Sequence, residues 1–206
     1  ALGESIDDGA KLSIISSYFT VFAYGELKEE LSKVDEVRFL FSEPTFIKRM
    51  ADSKEPREFE VARRAREVGV GGSGLELTLR NNLNQRALAR ECAEWIREKG
   101  VFKSAKTSGA IQPGGTYVVE NPSGDDHAFM GAAANFTQEG LGYERRPGTV
   151  TCVSHFENAT EAVGLKMMFE SVWDNPAMVE EVTAQVADQV ETLYRENPPE
   201  FIYFLT

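Results

Sequence analysis

The chain has 206 residues, 42% apolar and 27% charged, and a formal net charge of −11. That length holds one good core or at most two small ones, and the composition excludes wholesale disorder. The acidity opposes indiscriminate attraction to DNA or anionic lipid and leaves room only for a local basic groove, with positive residues clustered in the middle third.

No apolar run reaches the length of a bilayer span and no secretory leader is recognisable, so a cytoplasmic protein without a membrane partner is expected. Cys92 and Cys152 show no metal-ligand spacing; both are expected as reduced core residues, one on a helix and one in a strand. The chain begins at Ala1 and stops inside the apolar run 201–205, which suggests a piece of a longer protein.

In chain order, residues 11–20 have the branched and aromatic richness of a buried strand. Gly25 opens a short helix over 26–31, and 37–42 is a second strand that Glu43-Pro44 ends. Strand, helix and strand in that order predict a right-handed crossover and a parallel pair. Residues 57–68 suit an amphipathic helix, and the glycines of 69–74 a flexible connector, wrongly ordered for a phosphate-cradling loop. Residues 75–79 alternate as a half-exposed strand does. Asn81 or Asn82 would then cap a helix ending at Gly100, with Leu83, Ala87, Leu88, Cys92, Trp95 and Ile96 as its buried stripe.

The chain is organised around 101–142, read as strand, Gly-rich break, strand, turn and strand, then a loop closed by Asn135-Phe136-Thr137. A strand over 149–154 follows, then a helix over 159–173 with Val163, Met167 and Val172 inward. A second helix over 177–194 carries Val179, Val182, Val186, Val190 and Leu193, and a further one starts at Glu200. The expected fold is α/β, a mixed sheet flanked by helices over 1–157, with a C-terminal helical tail over 158–206.

Residues 131–137 (GAAANFT) resemble the Gly-Ser-x-x-Asn-(Phe/Trp)-(Thr/Ser) segment of the phospholipase D superfamily. There it follows a His-x-Lys-x-x-x-x-Asp segment, which on this chain falls with His at Gln112, Lys at Gly114 and Asp near Val119. The Gly114-Gly115 pair leaves one residue of play, and neither register restores any of the three. Cleavage in that family resembles covalent catalysis by a carboxylate-oriented His, with a Lys stabilising the phosphorane charge. An amide at 112 is no nucleophile at neutral pH, and a glycine at 114 supplies no cation. Ala132 replaces the family's Ser, so only Gly131 and Asn135 of the pattern stand.

The wider context (residues 14–20, 75–99, 173–175 and 197–204) is similar to one subfamily. It is the amino-terminal phospholipase D-like domain of bacterial Swi/Snf-class superfamily-two helicases, some of which accompany restriction or defence systems. The resemblance implies a noncatalytic accessory domain leading into an ATP- and Mg-dependent DNA translocase, with no cofactor of its own. DNA contacts would come from Lys103, Lys106, Arg80, Arg86 and Arg90, with Asn135 and Gln112 offering polar groups to phosphate. Two alternatives stand beside this reading. One is a protein–protein module, such as a homodimer that keeps the family's half-site pairing for structural reasons. The other is a residual phosphodiesterase using Glu120 as base, or a metal at Asp125, Asp126 and His127. The same three residues also read as a plain polar turn.

Overall fold

β1 (Lys11–Ser16) and β2 (Glu36–Phe41) are branched and aromatic runs, each buried at five of six positions. Such residues suit strands covered on both faces. The two pair in parallel, Lys11 opposite Glu36 through Ser16 opposite Phe41. The connection is α1 (Val21–Glu26) and α2 (Lys28–Lys33). The Thr20 side chain accepts from the Ala23 N–H at 3.1 Å, satisfying one of the orphan donors in the first turn of α1.

α3 (Leu75–Lys99) runs directly into β3 (Gly100–Ala105), which lies parallel to β2. β4 (Gly115–Glu120) returns antiparallel on β1, and β5 (His127–Gly131) and β6 (Ser154–Phe156) extend that side antiparallel. α4 (Ala159–Trp173) then crosses back, β7 (Val179–Glu181) pairs antiparallel with β3, and α5 (Thr183–Leu193) follows. The result is a mixed α/β fold around a seven-stranded sheet in the order β6-β5-β4-β1-β2-β3-β7. The computed structural model describes residues 2–44, 75–112, 114–144 and 152–193, with 75–85, 192 and 193 described by backbone alone. Among them, no helix is long and apolar enough to cross a membrane.

Alternate residues along each strand face opposite sides of the sheet. Leu12, Ile14, Val37, Phe39, Phe102, Tyr117 and Val119 face the main core, closed by Tyr24, Leu31, Trp95, Ile96, Val186 and Val190 from the helices. Phe19, Phe39, Phe102 and Phe136 meet there with ring centroids 5.1–5.8 Å apart. Each fully buried phenylalanine contributes about 2–3 kcal/mol, and truncating one costs more because a cavity remains.

Among the described residues, the other face is covered chiefly by α4 and is partly polar. Ile15, Leu40 and Ala105 meet Phe169 and Trp173, and Val118 and Ala128 meet Ala162. Between these patches lies Arg38, whose Nε donates to Ser13 Oγ at 3.0 Å and whose Nη2 donates to Glu120 at 3.1 Å. Its guanidinium sits 4.9 Å over the Phe169 ring, a cation–π contact strengthened by burial. Lys166 of α4 also pairs with Glu120, which raises the ammonium's pKa and keeps it charged.

Several expectations are corrected. Residues 75–79 are helical and Asn81 and Asn82 lie inside α3, because elongation from the strongly helical stretch beyond costs little once the helix exists. Gly25 lies inside α1, and the expected helix over 26–31 is split at Leu27. Ala87 is exposed on α3, whereas Cys92, Trp95 and Ile96 are buried as expected. Val163 and Met167 point outward, because the larger Phe169 and Trp173, with Ala162, set the inward face of α4. Residues 179–181 form β7, since the edge of β3 offers unpaired backbone groups that a strand can satisfy. Val182, Val186 and Val190 keep their buried seam. The C-terminal part is therefore no tail: β7 completes the sheet and α5 closes the main core. Cys152 is exposed and precedes a strand that starts only at Ser154, whereas Cys92 is buried and its thiol pKa is pushed well up by burial. The helix over 57–68, the connector 69–74, residues 149–151 and the segment beyond 193 lie outside the described residues.

Candidate phosphate-facing site at the end of the sheet

The parallel strands β1, β2 and β3 end on the edge where β4 begins and β5 finishes. Ser16, Ser17, Ser42 and Ser104 stand there, and the turn after β5 brings Asn135 against them. Carboxyl ends of parallel strands are where open α/β sheets commonly bind ligands.

Asn135 is held by β1. Its Oδ1 accepts from the Ser17 N–H at 3.1 Å and lies 3.1 Å from Ser16 Oγ. The Ser17 N–H has no other role than donor, so it fixes which way the amide points. Ser16 Oγ also accepts from the Phe136 N–H at 3.0 Å and lies 2.7 Å from Tyr18 O, so its single proton serves either Tyr18 or Asn135. Phe136 stacks on Phe19 at 5.2 Å, and the Thr20 N–H donates to Phe136 O at 3.1 Å.

Two glycines clamp the same turn. A Cβ on Gly115 would lie 1.5 Å from Ala134 O, and one on Gly140 would lie 2.1 Å from Asn135 O. Neither position accepts a side chain while the turn stays where it is. Tyr117 Oη donates to Ala134 O at 2.6 Å and seats the turn from below; burial pushes that phenol's pKa far up. Gly114, the other position in the expected cation register, has φ +133°, and a Cβ there would meet Gly131 O at 3.1 Å. Gln112 is exposed on the segment entering β4. Gly131 ends β5, and Val119, the expected carboxylate position, lies buried in the main core.

The two sequence-predicted lysines are turned elsewhere. Lys103 turns toward α4, donating to Trp173 O at 2.9 Å with its ammonium 4.4 Å over the Trp173 ring. Lys106 donates to Pro176 O, and its N–H donates to Met178 O at 2.8 Å. Both therefore fasten the link between α4 and β7. Arg86 and Arg90 sit on α3, half-buried and exposed, and the side chain of Arg80 lies outside the described residues.

Glu120 is occupied by Arg38 and Lys166 at the opposite end of β4. Asp125 and Asp126 shape the β4–β5 turn: Asp126 Oδ1 accepts from the Asn121 N–H at 3.0 Å, and Asn121 Nδ2 donates to Asp125 O at 2.7 Å. Among the described residues, no cluster of three or more His, Cys, Asp or Glu is arranged to hold a metal ion.

The sequence reading missed two groupings. The Ser16–Ser17 pair appeared there only as part of a longer resemblance, although two serines at the end of a parallel strand were a usable signal. His127 and His155 approach across β5 and β6, ring centroids 5.4 Å apart, with His155 stacked on Phe129 at 4.2 Å. His127 starts β5, at the other end of that strand from Gly131.

No family model, no curated protein and no solved structure matches this chain.

Proposed function

We propose that the chain is a noncatalytic, phospholipase D-like accessory domain of a DNA translocase, and that it serves by protein contact more than by gripping phosphate. The observation that carries this reading is the seating of the Asn135 turn on Gly115. Ala134 O occupies the space that any side chain at 115 would need, and the acceptor of Asn135 is spent on β1. A cleaving site needs a nucleophile and a charge clamp within reach of one phosphorus. Here the lysines nearest in sequence hold backbone carbonyls of the α4–β7 link instead.

A DNA-contacting role keeps one specific support, the half-buried Asn135 beside the backbone of the Gly-rich turn. The net charge of −11 weighs against it. Against the residual-hydrolase reading weigh the pairing of Glu120 with Arg38 and Lys166 and the bond from the Asn121 N–H to Asp126 in the β4–β5 turn.

Two assays on the 206-residue chain test the proposal. A fluorescent phosphodiester in EDTA shows no turnover above buffer, and duplex DNA at low salt shows no saturable binding. Turnover abolished by Asn135→Ala overturns the noncatalytic reading. Duplex binding that Lys103→Glu with Lys106→Glu weakens returns the DNA-gripping role.

A further inference from the structure

α4 carries two apolar faces, and among the described residues only one is packed against the rest of the fold. Its inward face holds Ala162, Phe169 and Trp173 against the sheet. At 100° per residue, Val163, Met167, Thr160, Ser171, Gly164 and Met168 form a continuous outward arc. All six are exposed, with Val163 at 47% and Met167 at 65%. Three of the seven large apolar side chains exposed among the described residues fall on this one helix. Isolated exposed apolar residues are ordinary, whereas an uncharged arc three turns long is not.

Gly164 lies within that arc, and no described neighbour accounts for it. A Cβ there would meet nothing within 4 Å, so no neighbour among the described residues requires a glycine. Glycine in a helix interior is unfavourable relative to alanine, because it leaves more backbone freedom to be lost on folding. A notch between Val163, Met167 and Met168 is what a second helix crossing closely over α4 would need.

The borders of the arc indicate the partner's charge. Glu161 lines one border and Glu170 the other, with Asp174 at the C-cap; Glu170 lies 3.9 Å from the Arg38 guanidinium and keeps 42% of its side chain exposed. Lys166, the helix's one cation, is turned toward the sheet and paired with Glu120. A second copy would bring the same carboxylates against these, whereas a helix with basic flanks would pair with them.

We propose that the outward face of α4 is a docking surface for an amphipathic helix of a protein partner, with its apolar stripe on Val163, Gly164 and Met167 and its lysines or arginines against Glu161 and Glu170. This deepens the reading of the chain as a protein-contact domain and rests on it. Methionines suit such a surface, since an unbranched, polarisable side chain repacks around different apolar residues.

The test uses a labelled Leu/Lys amphipathic peptide of about five helical turns, beside a counterpart with Glu in place of every Lys. The Leu/Lys peptide binds saturably and the Leu/Glu peptide at least about tenfold more weakly, the scale on which charge complementarity sorts partners. Met167→Lys weakens binding of the Leu/Lys peptide about tenfold or more, as loss of a central anchor does. Gly164→Ala raises the unfolding midpoint while weakening binding, opposite movements that a purely structural glycine does not produce. No saturable binding, equal binding of both peptides, or indifference to Met167→Lys overturns the proposal. So does self-association of the chain that Met167→Lys disperses, since a second copy then covers the face. The phosphodiester and duplex assays on the same samples judge the noncatalytic reading separately, so the docking face can fail while that reading stands.

Discussion

Gly115→Ala is the sharpest test of whether the end of the sheet is closed. The added methyl would lie 1.5 Å from Ala134 O and 2.2 Å from Ala134 C, both backbone atoms with no rotamer to yield. Ordinary contact lies near 3.5 Å, so the turn must retreat by about 2 Å. That movement breaks the bond from Tyr117 Oη to Ala134 O and leaves a buried hydroxyl without a partner, a cost of about 1–3 kcal/mol. It also loosens the bonds that Asn135 receives from β1, together about 1–2 kcal/mol. Replacing glycine in a strand returns about 0.5–1 kcal/mol. The net expectation is a loss of about 3 kcal/mol, read as a lower urea midpoint with an unchanged slope. Gly124→Ala is the control, because a Cβ there meets nothing within 4 Å and only its φ of +81° is strained. Tyr117→Phe sharpens the reading: if both changes act through Ala134 O, their effects fall short of additive. A loss below about 0.5 kcal/mol, or full additivity with Tyr117→Phe, would mean that the turn does not rest on Gly115. Room for a side chain would then exist, and the case against a clamp at this position would go with it.

The remaining expectations concern the polar face, the buried phenols and the missing catalytic pair. Arg38→Ala should cost about 3 kcal/mol in chemical denaturation, because Glu120 stays behind in a partly buried position, while Lys166→Ala on the more exposed side stays within about 1 kcal/mol. Burial, with smaller contributions from Cys92, Glu91 and Glu94, pushes Tyr24 up to about 12, and burial alone raises Tyr117 further. Unfolded tyrosines release their protons near pH 10, so the folded state binds more protons above that pH and stability must fall as pH rises. The slope is about 1.4 kcal/mol per pH unit for each phenol, and Tyr24→Phe should remove its share between pH 10 and 12. Gln112→His with Gly114→Lys should leave phosphodiester turnover at the buffer level, since a lysine at φ +133° is strained; turnover above buffer would count against a closed site.

Local patterns were legible and long-range ones were not. The parallel pair of β1 and β2 followed from two branched runs and a short helical connection. The helix over 159–173 was legible to the residue, because Asp174-Asn175-Pro176 is a stop signal written in consecutive positions. β7 was illegible because its strand character comes from the edge of β3, some 75 residues earlier, while Val179, Val182 and Val186 equally suit a helix. The same distance hid what the lysines do. Lys103 and Lys106 read as a basic pair near a cleft, but their partners, Trp173 O and Pro176 O, lie 70 residues away in the chain. Asn135 was legible as a motif residue, whereas its partners on β1 lie more than 100 residues before it.

These hidden contacts bear on function as well as on fold. A reactive site holds polar groups poised toward a substrate, often at a cost in stability. At the end of this sheet the polar groups are turned inward to one another. Ser17 and Ser42 share a bond at 2.7 Å, Asn135 accepts from β1, and Ser16 joins the turn to the strand. The close approach of Gly115 lets that turn pack against the start of β4. On the outer arc of α4 the balance is reversed. Apolar side chains are exposed there among the described residues, and a glycine weakens a helix without helping any described neighbour. Of the two surfaces, the one that gives up stability without recompense from the described residues is the stronger candidate for contact with something outside the chain.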